Sequence, residues 1–447
     1  MRIDSKSLPR AALIAVAGLI ACTSASADGP TFTGVQLRED LSQLERALHE
    51  MPPDLARSAN LPALDEAMRA LDGHLATVPS LDRDEVWRLF ATLNPLLADG
   101  HTFIGFVDWR GDVRAHLAAG GRLFPYEMQV TADCSLRVRA ELGGRIDELT
   151  DATIRAVNGL PARDLCEQML AHAHGDTRVF RADLVSRRFW FYYWKLFGAP
   201  SAFDIEIAGR DGVRRISGSS QLPMLLADEK VFERQFRLRF IAGEDAAILS
   251  LGSFAWPDKQ QFLDFTHDAF SKIHAARART LIIDLRDNGG GDDVMWIEGV
   301  MPYIATKRYR TASRYRKRVV VADPAKHETV GDVVDGEIDN WFPPLPNNPL
   351  RFRGKLYVAV GAGTFSSAVS FSTVIQDFGF GRLAGVRGSV RTEQSGGARR
   401  TTLTHCGLIV VTPRFVLTRP SGAREPRLLS PDIDLEESRP LSGLIHQ

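Results

Sequence analysis

The sequence predicts a layered α/β core preceded by a helical segment and a β-rich module. Two patterns carry the prediction. In the second half, the apolar runs Ala246 to Leu251, Thr280 to Leu285 and Leu356 to Val360 have the length and composition of buried strands. They alternate with helical signals: the stripe Phe262, Phe265, Ala269, Phe270 and Ile273, and the stretch from Ser366 to Asp377. Strands alternating with helices of this length imply a layered α/β core. In the first half, Leu37, Leu41, Leu44 and Leu48 recur at the spacing of a surface helix, which Met51-Pro52-Pro53 stops. Val86, Leu89, Phe90 and Leu93 suggest another helix, broken near Pro95.

These elements divide the chain into a helical segment over 30–110, a β-rich module over 115–220 and the α/β core over 230–440. In the middle part, short β-like segments surround Asn158-Gly159, a tight-turn signal, and a helix is expected from Ala162 to His172. With 447 residues and an apolar fraction of 44%, the chain is long enough for two or three units and can bury a large core. Lys plus Arg and Asp plus Glu both total 55, so net charge gives no reason to expect nucleic acid or an anionic membrane as partner.

The first residues read as an export signal. Arg2, Lys6 and Arg10 precede the apolar run Ala11 to Ala21, which is too short for an ordinary membrane span. Two endings compete. Ala25-Ser26-Ala27 is a small-x-small cleavage site closing a signal peptide over 1–27. Leu19-Ile20-Ala21-Cys22 reads as a lipoprotein box, with a signal over 1–21 and a lipid anchor on Cys22. Either ending places the protein outside the cytoplasm, in the periplasm, on the outer membrane as a lipoprotein, or secreted. Cys134, Cys166 and Cys406 form no CxxC pair and read as isolated buried thiols, although export would allow a disulfide.

Four short stretches carry chemistry. In Leu281-Ile282-Ile283-Asp284-Leu285-Arg286-Asp287-Asn288-Gly289-Gly290-Gly291, a strand runs into three glycines, whose freedom at positive φ lets backbone N–H groups approach a developing oxyanion. Neither phosphate-cradling glycine pattern is present. In Gly361-Ala362-Gly363-Thr364-Phe365-Ser366-Ser367-Ala368, a serine stands at a helix N-terminus, beside unpaired N–H groups; the bland alternative is a helix-capping serine. Asp99-Gly100-His101-Thr102 offers a histidine, the usual base near neutral pH. Glu425 precedes Pro431-Asp432-Ile433, and alone reads as a surface glutamate beside Arg424 and Arg427. His172 and His174 lack a third metal ligand nearby and read as solvated, so no metal and no cofactor is expected.

Taken in order, DGHT, DLRDNGGG, GTFSSA and EPRLLSPDI resemble the C-terminal-processing serine peptidases, especially the branch of the tricorn core and interphotoreceptor retinoid-binding protein. The resemblance implies a crotonase-like ββα-spiral core and a PDZ-like module, the latter from Ile154-Arg155-Ala156-Val157-Asn158-Gly159-Leu160-Pro161. It implies Ser366 as nucleophile and His101 as base. Glu425 would orient the histidine or bind the substrate end, and the N–H groups of Gly290 and Ser367 would form the oxyanion hole. The tail-specific branch uses a lysine base where this chain has Arg391, and arginine is not deprotonated in proteins. Tricorn-like sites have a serine at Gly100, and many relatives a glutamate at Val369. The implied partner is a peptide or protein substrate. A ligand-binding protein on the same fold and an esterase with the same nucleophile are the alternatives, and the oligomeric state is left open.

Overall fold

In the computed structural model, which describes residues 29–436 and 439–446, the helical signals of the first hundred residues become helices for identifiable local reasons. The helix Gly34–Glu50 starts at a capping box between Thr33 and Gln36 and buries Leu37, Leu41, Leu44 and Leu48. A second capping box, Asp82 with Glu85, starts the helix Arg83–Phe90. The expected export signal, with Cys22, lies outside the described residues. Among the described residues, no helix is long and apolar enough to cross a membrane.

The middle of the chain forms an antiparallel sheet whose strands Tyr126–Val130, Leu136–Glu141, Thr153–Val157, Ala202–Ile207 and Val213–Ser217 pair in sequence order. Asn158 and Gly159 both take positive φ, 50° and 76°, as a two-residue hairpin turn requires. The helix Ala162–Leu170 follows. Cys134 and Cys166 are joined as a disulfide across 32 residues, tying the first hairpin to that helix and correcting the reading of isolated thiols; Cys406 is buried and free. The open edge of Tyr126–Val130 is met by the helix Arg178–Arg187, where the buried Ser186 hydroxyl accepts the Val130 N–H at 2.7 Å.

The second half builds a six-stranded sheet in the order Phe236–Phe240, Ala246–Leu251, Thr280–Asp284, Lys355–Val360, Arg382–Gly385, Ile433–Asp434. Only the first pair is antiparallel. Residues 281–283 and 356–360 are buried throughout, as parallel strands covered on both faces must be. Because Thr280–Asp284 pairs directly with Lys355–Val360, the loops leaving their C-terminal ends emerge side by side. Those loops are the glycine turn and the Ser366 turn, at the strand ends where open α/β sheets place ligands.

The C-terminal part does not stay within this core. The strand Leu408–Thr412 pairs with Phe103–Phe106, and Leu403, Cys406, Leu408 and Val410 join the apolar cluster built by the N-terminal helices and the middle sheet. Gln394–Gly396 forms the edge of another antiparallel sheet with Phe415–Thr418, Arg314–Arg318 and Val333–Glu337. This excursion brings residues near 395 to the turn that carries His101.

Candidate active site

Ser366 lies between the strand Lys355–Val360 and the helix Ser367–Asp377. Thr364 ties its loop to the neighbouring strand, donating to the Leu285 carbonyl at 2.7 Å and accepting from the Gly361 N–H at 2.9 Å. Phe365 N–H donates to the Asn288 carbonyl at 3.0 Å. So held, Ser366 has φ 53° and ψ −123°, a region costing a non-glycine residue about 1–3 kcal/mol. Its side chain makes no helix-capping bond, which removes the bland reading of a capping serine. Instead Oγ lies 3.2 Å from Nε2 of His101.

His101 comes from the other half of the molecule. Its ring rests on Phe365, centroids 4.5 Å apart, and Nδ1 lies 3.0 Å from Ser395 Oγ. Burial pushes its pKa below the usual 6.5, with Asp99 opposing and Arg57 reinforcing the shift, so the imidazole is neutral at neutral pH. The turn is braced from below. Gly100 N–H donates to Asp176 at 2.9 Å, the other Asp176 oxygen accepts the Arg391 N–H at 2.8 Å, and the Arg391 guanidinium donates to the Ala98 carbonyl. Arg391 thus anchors the histidine turn.

The glycine turn packs against the nucleophile. A Cβ on Gly290 would stand 2.7 Å from Ser366 Cβ, and Gly290 needs φ 99°. Its N–H, however, donates to the buried Asn288 Oδ1 at 2.8 Å, so the expected Gly290 oxyanion donor is already engaged. In the same turn, Gly289 N–H has no acceptor among the described residues. Ser367 N–H, at the first position of its helix, has none either. The Ser367 hydroxyl is fixed, donating to Asp293 at 2.5 Å and accepting from Trp296 Nε1 at 3.0 Å.

Glu425 is not part of this cluster. It is exposed and pairs with Arg427 at 3.3 Å, while Nδ1 of His101, which Glu425 was expected to orient, faces Ser395. His172 and His174 are not solvated as expected: His172 sits between the Gln168 and Arg88 carbonyls, and His174 stacks on Phe103, its pKa pushed by burial to about 3. Among the described residues, no group of three or more His, Cys, Asp or Glu side chains is placed to hold a metal.

The sequence reading missed the carboxylate beside the histidine. Asp99 is 2% exposed and accepts the His101 backbone N–H at 2.7 Å, the Ser395 hydroxyl at 2.9 Å and the Arg57 guanidinium. Burial alone would raise its pKa; Arg57, His101 and these hydrogen bonds outweigh that and hold it below the usual carboxylate range. The DGHT stretch contained Asp99, but nothing local could assign Ser395 or Arg57, which arrive from distant segments.

Residues 245–435 match the description Peptidase family S41. That stretch is a peptidase family S41 domain. With it, the chain is a serine-type peptidase. No curated protein matches the chain. Among solved structures, mature CPAF is similar with a TM-score of 0.64 at 13% identity, over 90% of this chain and 93% of that one. Mature CPAF complexed with lactacystin gives 0.63 at 13% identity, over 90% and 94%. At that identity the likeness concerns the fold, which extends well beyond the matched domain. The departures from the S41 pattern now have physical explanations. A Cβ at Gly100 would stand 2.3 Å from the tip of the Phe365 ring, so a serine there would require the ring to shift. Val369 is fully buried in the apolar core of the domain.

Proposed function

We propose that this S41 peptidase is exported and cleaves peptides or protein tails through an acyl-enzyme on Ser366, with His101 as base. The observation that carries the proposal is the 3.2 Å approach of Ser366 Oγ to His101 Nε2, made by a strained serine at a helix N-terminus. Nε2 takes the hydroxyl proton as Oγ attacks the scissile carbonyl, then returns it to the leaving amine. Water, deprotonated by the same nitrogen, releases the acyl group. Ser367 N–H and a donor from the glycine turn face the oxyanion; losing one such donor typically raises the barrier by about 3 kcal/mol. Glu425, exposed beside Arg427, is left with the substrate-end role. A cavity of ≈ 590 Å³ is lined by Arg57, Glu393, Thr418 and Arg424; of these, Arg57 also reaches Asp99. The Cys134–Cys166 disulfide supports an oxidising compartment, in keeping with the export signal. The ββα-spiral and PDZ-like assignments remain part of this proposal. Since Val130 N–H is engaged by Ser186, strand addition at that edge would first have to displace this contact.

Labelling of the mature protein with a fluorophosphonate, beside Ser366→Ala and His101→Ala, tests the reading. Label on wild-type Ser366 and on neither variant is expected. A folded wild type that takes no label would overturn the acyl-enzyme and point to a ligand-binding protein. Faster turnover of esters with no turnover of amides would point to an esterase. Palmitate incorporation lost in Cys22→Ser would establish the lipid anchor; its absence from wild type would place the chain free in the periplasm or medium.

A further inference from the structure

A histidine can take the Ser366 proton at Nε2 only if its own proton sits on Nδ1. Hydrogen-bond accounting around Ser395 fixes that arrangement. The Asp99 carboxylate, held ionised, only accepts. One of its oxygens lies 2.9 Å from Ser395 Oγ, and the other receives the Arg57 guanidinium. The single hydroxyl proton of Ser395 therefore points at Asp99, and a lone pair is left facing His101 Nδ1 at 3.0 Å. Nδ1 must be the donor across that contact, so Nε2 is bare and faces the Ser366 hydroxyl.

We infer that Ser395 and Asp99 are the positioning residues of the catalytic histidine, with the Asp99 charge acting through the Ser395 hydroxyl and Arg57 keeping that charge in place. This rests on the reading of Ser366 as nucleophile and deepens it. The proton balance is simple. The Ser366 proton moves to Nε2, the imidazolium keeps its Nδ1–H bond to Ser395, and no proton reaches Asp99. The bridging hydroxyl comes from the strand Gln394–Gly396, while Phe365 lies beside Gly100. Arg57 reaches Asp99 from the N-terminal segment, where Asp54 accepts its backbone N–H at 3.1 Å.

Three charged or titratable groups face the imidazole: Asp99, which raises its pKa, Arg57, which lowers it, and His174 behind the turn. Asp176 and Arg391 hold the backbone on the far side. On a ring whose pKa burial already lowers, the Asp99 and Arg57 charges oppose each other, and a merely structural role would not separate them.

The test measures the second-order labelling rate at Ser366 against pH in the full mature chain. Ser395→Ala, which leaves the Asp99–Arg57 pair intact, should label about 10–100-fold more slowly, as expected for a mis-set general base. Asp99→Asn should slow labelling and move the acid limb to lower pH; Arg57→Gln should move it to higher pH; Glu425→Gln should leave the limb in place. Nitrogen-15 NMR of the imidazole, assigned with His101→Gln, should show the proton on Nδ1 in wild type. A proton on Nε2 overturns the inference, as does an acid limb moved by Glu425→Gln but not by Asp99→Asn and Arg57→Gln. The NMR arm needs no activity, so a wild type that refuses the label sinks the nucleophile assignment while the tautomer still decides the role of Ser395. Should Asp99→Asn fail to fold, Ser395→Ala and Arg57→Gln decide.

Discussion

At the scale of single residues, Ser366 works against its own backbone. At φ 53° and ψ −123°, glycine would rest more easily than any residue with a Cβ. Ser366→Gly should therefore be more stable than Ser366→Ala by about 1 kcal/mol in denaturant unfolding, although neither takes the fluorophosphonate. Equal stability of the two would mean that the strain is absent. His101 sets the pH response. Its base function requires a bare Nε2, and burial lowers its pKa below 6.5, so the unprotonated form persists to lower pH than for an exposed histidine. Activity should be present above that depressed value and lost as pH falls through it, with the midpoint of the acid limb under 6.5. A midpoint above 6.5 would show that the Asp99 charge outweighs burial at the ring.

At the scale of elements, the site depends on two loops that leave neighbouring parallel strands, and their fit leaves no spare volume. Gly290→Ala puts a methyl 2.7 Å from Ser366 Cβ and 2.8 Å from the Phe365 carbonyl, at a residue that needs φ 99°. Its expected effect is a loss of labelling of at least about 100-fold, comparable to losing an oxyanion donor, with the chain still folded by circular dichroism. Labelling within a few-fold of wild type would show that the two loops can separate freely. Asn288 is the joint between them: its side chain donates to the Leu251 carbonyl at 2.9 Å and accepts the Gly290 N–H, while its carbonyl accepts from Phe365. The DLRDNGGG stretch was legible as a tight turn beside a site, but the partner of each of its amides was not.

At the scale of the whole molecule, the elements that carry the histidine and the serine pack into different apolar clusters, and the C-terminal part returns to the N-terminal segment between them. The pairing of Leu408–Thr412 with Phe103–Phe106 fastens that return. The middle sheet is fastened separately, by the Cys134–Cys166 bridge. Closing a loop with a sequence separation of 32 should stabilise the folded chain by about 3–4 kcal/mol on chain-entropy grounds. Cys134→Ser with Cys166→Ser should lower the denaturation midpoint accordingly and leave Ser366 labelling of the folded fraction intact. An unchanged midpoint would mean that the bridge does not form.

The amino-acid sequence by itself determined the helical start, the α/β alternation and the two loops at the strand ends, and its ordered motifs carried the family resemblance that implied Ser366 and His101 as a candidate pair. Those features are written in local periodicity, turn chemistry and ordered short motifs, which neighbouring residues largely settle among themselves. It did not show that the histidine turn would be held by Asp176 and Arg391, that Gly290 would give its N–H to Asn288, or that Nδ1 would face Ser395 rather than Glu425. Each of these is a contact between segments far apart in the chain. Such contacts follow from which strands pair and which surfaces bury together, so only the tertiary structure decided them.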